Sequence, residues 1–186
     1  MSRSTLLLLS AAIGLAGCSS TPTRFWTVEP LAGTAPPSGG RIAAPIQIAA
    51  VRLPLAIDRL EIVQHDTANR MKVLDFDRWS APPGDLLRQV LTQDLIGQLP
   101  PGAVILPGAP MPAGTRAVVV EILDLRQSGE RFVMQLSWSF AGKPVQPHVL
   151  TLDAAAGAGD PAAQSQALGE MMARLAAAIA ASAGIR

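Results

Sequence analysis

Between Arg131 and Ala141 apolar and polar side chains alternate, with Phe132, Met134, Leu136, Trp138 and Phe140 on one face and Arg131, Gln135, Ser137 and Ser139 on the other. A period of two predicts a strand with one buried and one wetter face. Ala117 to Arg126 predicts its neighbour, joined to it through Gln127-Ser128-Gly129-Glu130, where the glycine can take the positive φ of a tight turn. Val145 to Leu152 predicts a third antiparallel strand, which Pro147 confines to an edge or a bulge. Earlier in the chain, Arg24 to Val28, Ile46 to Val51, Glu61 to His65, Met71 to Leu74 and the short run Val104-Ile105-Leu106 read as strands. The turn formers Asp66-Thr67-Ala68-Asn69 make a hairpin of the Glu61 and Met71 segments, and the Pro-, Gly- and Ala-rich stretch from Leu31 to Pro45 reads as a flexible loop.

Two segments carry a helical period instead. Leu87, Val90, Leu91, Leu95 and Leu99 form one stripe of a helix opened by Pro82-Pro83-Gly84-Asp85, with Asp85 capping the first turn, and stopped by Pro100-Pro101-Gly102. In a second helix, from Ala162 to about Ala183, Leu168, Met172, Leu175 and Ile179 recur at spacings of four, three and four. Such a stripe packs on a sheet. The competing reading, an amphipathic helix lying on a membrane, would have only Arg174 and Arg186 as cations and no aromatic residue. The pattern therefore predicts a single-domain α/β fold, a mixed, largely antiparallel sheet packed with two main helices on one face.

The N-terminus follows a third pattern. Arg3 precedes an apolar run from Leu6 to Ile13, and Leu15-Ala16-Gly17-Cys18 follows it. This is the form of a bacterial export signal ending in a lipobox: small residues admit the backbone to a peptidase cleft, and the Cys18 thiol takes a diacylglyceryl group. The run is shorter than the roughly 20 residues of a membrane span. An ordinary signal peptide is the alternative, but the chain's one Cys stands where lipidation requires it. Residues 1–17 are thus expected to be a signal peptide, 18–23 a lipidated Cys with a short tether, and 24–186 the folded domain. Several acyl chains at ~0.8 kcal/mol per buried methylene make a stable anchor. Ser19 in place of an inner-membrane-retaining Asp favours the outer membrane, facing the periplasm, and the tether from Ser19 to Thr23 reaches at most roughly 18 Å.

Composition narrows the chemistry. With 49% hydrophobic and 16% charged residues the chain is globular, and fifteen basic residues stand against fourteen acidic ones. No segment concentrates positive charge, so nucleic acid is not an expected partner. One Cys excludes an intrachain disulfide, His65 and His148 are isolated, and Ser137 and Ser139 lack a nucleophile elbow. Asp75 and Asp77 on alternate residues are too few for a cation site. No catalytic residue, metal site or cofactor is expected beyond the covalent N-acyl and S-diacylglycerol lipid on Cys18.

One stretch is more specific. Val51-Arg52-Leu53-Pro54, Ile57-Asp58-Arg59-Leu60-Glu61-Ile62-Val63, Asn69-Arg70-Met71, Phe76-Asp77-Arg78-Trp79 and the helix to Leu99 follow in an order and spacing that resembles the ABC-type transport auxiliary lipoproteins, the PqiC-like family of the paraquat-inducible intermembrane transport system. Leu60-Glu61 stands where that family usually has Pro-Gln, Ile57 where it has Leu, and Phe25-Trp26 where it has Tyr-Tyr; the Pro-Pro-Gly helix start also departs from its common form. The resemblance implies a non-enzymatic outer-membrane lipoprotein that docks the periplasm-spanning component of an MCE-type intermembrane lipid transport system and supports envelope integrity. It implies as partners an MCE-domain protein, inner-membrane transport components reached through it, and further copies in a homo-oligomeric ring. A periplasm-facing lipid-binding carrier with an apolar pocket lined by Phe132, Trp138 and Phe140 is the alternative. Leu53, Pro54, Asp58, Arg59, Phe76, Arg78 and Trp79 are the candidate structural or partner-contact residues of the motif. Asp58-Arg59 and Asp77-Arg78 are expected to fix two turns through carboxylate hydrogen bonds, and Trp79 to anchor the core or an edge.

Overall fold

The computed structural model describes residues 21–31, 43–67, 69–142 and 145–183. The signal segment, Cys18 and most of the loop from Leu31 to Pro45 lie outside the described residues. Among the described residues, seven strands and two helices run in the order β1 (Arg24–Trp26), β2 (Ile46–Arg52), β3 (Glu61–Thr67), β4 (Arg70–Trp79), α1 (Pro83–Gln98), β5 (Arg116–Ser128), β6 (Arg131–Phe140), β7 (His148–Ala155) and α2 (Pro161–Ser182). The expected α/β class is observed, with its strands divided between two mixed sheets. One has three strands in the order β1-β4-β3 and the other has four in the order β2-β5-β6-β7.

In the four-stranded sheet β2 lies parallel to β5, while β5, β6 and β7 form an antiparallel meander. Ser128 pairs with Arg131 across Gly129-Glu130, and Gly129 has φ of 60°. Glycine at the first central position of a two-residue loop is the turn whose twist suits a hairpin. Val118, Val120 and Ile122 of β5, Met134, Leu136 and Trp138 of β6 and Leu152 of β7 are buried on the face that the helices cover. Glu121, Gln135 and Thr151 occupy the other face and are exposed. β7 is an edge strand, as Pro147 requires, although it starts at His148 and runs on to Ala155.

The helices pack on each other, α1 against β2 and α2 against β7. All the stripe residues named from the sequence are buried, which places the amphipathic face of α2 in the core rather than on a membrane. Two local expectations change. Asp85 does not cap α1: Pro82, in extended geometry, occupies that position with no side-chain bond, and Asp85 pairs with Arg88 at 2.8 Å inside the first turn. Asp160 is the side chain that caps, accepting from the Ala162 N–H of α2 at 2.9 Å. Val104-Ile105-Leu106 makes a single bridge to Ile46 rather than a strand, because the Pro-rich chain on both sides allows the run no second pair.

Candidate functional site at the tether end

The three-stranded sheet gathers the motif residues. Alternate residues of a strand share a face, so Arg24 and Trp26 point the same way, and the parallel register sets Arg24 opposite Asp77 and Trp26 opposite Trp79. Asp77 is 5% exposed. Its Oδ2 accepts from Arg24 Nη2 at 2.7 Å and its Oδ1 from Trp26 Nε1 at 2.8 Å. The Arg24 hydrogen bond is the main reason its carboxyl sits below the ordinary range, with the Trp26 bond and the Arg24 charge helping against the opposing effect of burial. Three residues of the first strand are thereby fixed to β4.

Asp77 takes its guanidinium bond from the distant Arg24 and not from its neighbour. Adjacent strand residues face opposite sides, so Arg78 cannot share Asp77's environment; it turns toward Glu61, Nη2 to Oε1 at 3.5 Å, and Arg59 Nε donates to Glu61 Oε2 at 2.9 Å. Glu61 is held below its usual range chiefly by that Arg59 bond. Asp58 and Arg59 are exposed beyond β2. The Pro54 carbonyl closes this turn by accepting the Ile57 and Asp58 N–H groups at 2.9 and 3.1 Å. Leu53 packs half-buried against the core, and Trp79 is buried in it, its backbone N–H donating to the Leu60 carbonyl at 2.7 Å.

Phe76 behaves differently. Ile62 pairs with Leu74 and Glu61 with Arg78, leaving Asp75, Phe76 and Asp77 in a bulge with no partner on β3. The bulge re-aims the strand, turning Asp77 inward while Phe76 stays 46% exposed. Phe25, opposite Arg78 and on the face away from Trp26, is 68% exposed. Both aromatics stand beside the start of the described chain: Thr21, Pro22, Arg24, Lys72 and Phe76 line one open hollow of about 480 Å³.

Sequence reasoning missed the residues that hold this end in place. A Cβ on Gly169 of α2 would come within 2.7 Å of the Glu29 carbonyl, so only glycine lets α2 approach the chain after β1 so closely. One turn earlier, Ser165 Oγ donates to the Thr27 carbonyl. Gly84 plays the same part for α1, where a Cβ would lie 2.8 Å from the Val51 carbonyl, which accounts for the Pro-Pro-Gly helix start. An Ala-rich helix with one central glycine was the signal available for Gly169.

Between the sheets, Val28, Leu53, Ile62, Trp79, Leu87 and Phe132 are among the walls of an apolar cavity of about 30 Å³. That holds roughly two waters, against the roughly 300–1,000 Å³ of a ligand site. Trp138 stacks on His148, with ring centroids 4.8 Å apart, and Arg116 covers the Phe140 ring at 3.6 Å, so neither aromatic lines that cavity. Among the described residues no group of His, Cys, Asp and Glu is placed to hold a metal ion, and no helix is long and apolar enough to cross a membrane.

The fold recurs in solved structures. The crystal structure of an uncharacterized protein matches with a TM-score of 0.72 at 13% identity, covering 88% of this chain and all of the other. The crystal structure of protein XCC0632 from Xanthomonas campestris, of the DUF330 family, matches with a TM-score of 0.65 at 14% identity, covering 84% of this chain and 92% of the other. No curated protein matches the sequence. Residues 27–180 match the family model of the ABC-type transport auxiliary lipoprotein component, from just after β1 almost to the end of α2. Such a component works at a membrane of the cell envelope and alongside transport partners. By that match, the chain belongs to the family of ABC-type transport auxiliary lipoproteins.

Proposed function

We propose that this chain is a non-enzymatic outer-membrane lipoprotein, anchored through Cys18, that docks the periplasm-spanning MCE-domain protein of an intermembrane lipid transport system. The family match over residues 27–180 carries the reading. The anchor is supported by the lipobox and by the position of β1, the first element of the fold, only six residues after Cys18. A short tether holds the domain against the membrane, as a docking collar of several copies requires. The carrier alternative asks for an internal lipid site, and a cavity of about 30 Å³ between the sheets favours docking instead.

The test is co-expression of the full-length lipoprotein with an MCE-domain protein of the same cell, gentle crosslinking, and native mass spectrometry of the recovered species. A lipid-free oligomer bound to the MCE protein is expected; a monomer retaining a non-covalent lipid would favour the carrier, and failure to co-purify would count against docking. Cys18→Ser removes the acyl acceptor and should take the protein out of the outer-membrane fraction with its fold intact. It should impair envelope integrity as strongly as deletion of the gene.

A further inference from the structure

Among the described residues, nothing covers the large apolar side chains on the outer face of the three-stranded sheet. Phe25 and Phe76 lie on it at 68% and 46% exposure, and Met71, toward the hairpin end, is 41% exposed. Large apolar side chains grouped on a surface call for an occupant, and the position of the tether identifies one. Thr21 lines the same hollow as Phe76, and it stands only three steps along the chain from Cys18. At ~3.6 Å per residue they span at most roughly 11 Å. A chain of this size folds to roughly 40 Å across, so a lipid on Cys18 brings one end of the domain to the bilayer, and that end carries these aromatics.

We infer that the outer face of β1 and β4 is a membrane-contact surface, with Phe25 and Phe76 entering the headgroup and upper acyl region of the bilayer that holds the Cys18 lipid. The inference rests on the proposed anchor. Aromatic rings suit this zone, where an apolar body is buried without a full crossing. Charge does not drive the contact. The strands β1, β3 and β4 with the turn before β3 carry five basic and five acidic side chains, and the pairs Arg24–Asp77 and Arg59–Glu61–Arg78 neutralise part of the rim. The surface therefore takes a zwitterionic membrane as readily as an anionic one. Its effect is to fix the orientation of the domain, which a flexible tether alone leaves free.

The experiment uses the mature lipidated protein in phosphatidylcholine vesicles. Because acylation consumes the chain's one Cys thiol, Phe25→Cys, Phe76→Cys and, on the open face of the other sheet, Val149→Cys each supply a unique site for a nitroxide. Oxygen and a water-soluble nickel chelate are then used as relaxation agents. At positions 25 and 76 the oxygen-to-nickel accessibility ratio should rise several-fold on vesicles, and at position 149 it should stay at the value of a water-exposed label. Vesicle flotation with labels 25 and 76 still open to nickel would overturn the contact surface while leaving the anchor standing. Equal shielding at position 149 would overturn the orientation. Dipolar broadening between copies at position 25 or 76, with oxygen excluded, would put a second copy on this face in place of lipid. Absence of acyl mass on Cys18 together with loss of flotation would overturn the anchor and the surface with it.

Discussion

The two sheets are stabilised by different physics. In the four-stranded sheet the buried face is an alternating row of aliphatic and aromatic side chains under two helices, and its polar side is wet. The three-stranded sheet inverts this arrangement in part: a carboxylate, Asp77, is buried beneath β1, while Phe25 and Phe76 face outward. The first depends on apolar area and tolerates changes on its far side. The second depends on a few directed bonds, so charge and pH act on it, and its aromatics Phe25 and Phe76 point away from the core.

The sharpest way to break the contrast is to put charge into the large sheet. Leu136→Asp places an unpaired carboxylate at a fully buried position and should abolish cooperative unfolding, because such a group costs more than a domain's usual margin can absorb. Gln135→Asp, one residue along on the exposed face, should leave the thermal transition almost unchanged. Equal stability of the two would mean the burial pattern of β6 is wrong.

In the small sheet the corresponding change is loss of charge. Asp77→Ala leaves the Arg24 guanidinium and the Trp26 indole without their acceptor and should cost about 3 kcal/mol, seen as a lower denaturation midpoint with β1 freed from β4. The sign with pH follows from the depressed carboxyl. Above its unfolded pKa the native bonds contribute in full, and as pH falls through the lower folded value the carboxylate protonates and their contribution is lost. Asp77→Asn should flatten stability below about pH 4. An unchanged acid limb in that variant would show that other groups govern it.

Asp94 sharpens the comparison, since α1 buries a second carboxylate that makes no hydrogen bond among the described residues. Burial pushes its pKa up from 3.8 to about 6, an effect the Leu31 backbone N–H, outside hydrogen-bond geometry, only partly offsets. Here the sign reverses: between pH 3.8 and 6 the folded chain holds a proton that the unfolded chain has released, so stability falls as pH rises through this window. Asp77 thus acts below the window and Asp94 within it, with opposite signs. Asp94→Asn should raise stability at neutral pH by about 2 kcal/mol, less than the full shift because an amide still needs partners. A flat or lower neutral-pH midpoint in urea would count against a strained carboxylate.

These contrasts explain what could be read in advance. The strands of the meander and both helices were legible because one face of each is buried, which imprints a period on the sequence. β4 was legible only to Leu74, because the bulge at Asp75-Phe76-Asp77 breaks the alternation that marks a strand. The pairings Arg24–Asp77 and Arg78–Glu61 depend on a register between distant segments, which the adjacent Asp77-Arg78 in the sequence does not reveal. Gly169 and Gly84 act through close backbone approaches, which leave no trace in composition. The candidate motif was found by its order and spacing, whereas the outward aim of Phe76 is a property of the bulge alone.

The same approach gives a prediction of intermediate size. Gly169→Ala must push the Glu29 carbonyl away from α2, and overpacking of this kind costs about 1–3 kcal/mol. Differential scanning calorimetry should show the lower transition temperature. Gly129→Ala, at a turn with open space around the Cβ but φ of 60°, should cost about 1 kcal/mol through backbone strain. A larger loss at Gly129 would mean that the hairpin, rather than the seat of α2 on the chain after β1, is the more sensitive joint.

The smallest effect is expected on the wet side of the large sheet. Arg52 and Glu121 pair directly across β2 and β5 at 3.0 Å, with side chains 65% and 50% exposed. Water and salt screen such a pair, so Arg52→Ala should cost less than about 0.5 kcal/mol, and the difference should vanish as ionic strength rises past the point where the Debye length falls below roughly 5 Å. Equilibrium urea titration at low and high salt measures both. A loss above about 1 kcal/mol that survives high salt would mean the pair is desolvated. The open face of the four-stranded sheet would then be covered in solution, and the distinction between a wetted face there and an aromatic face at the tether end would fail.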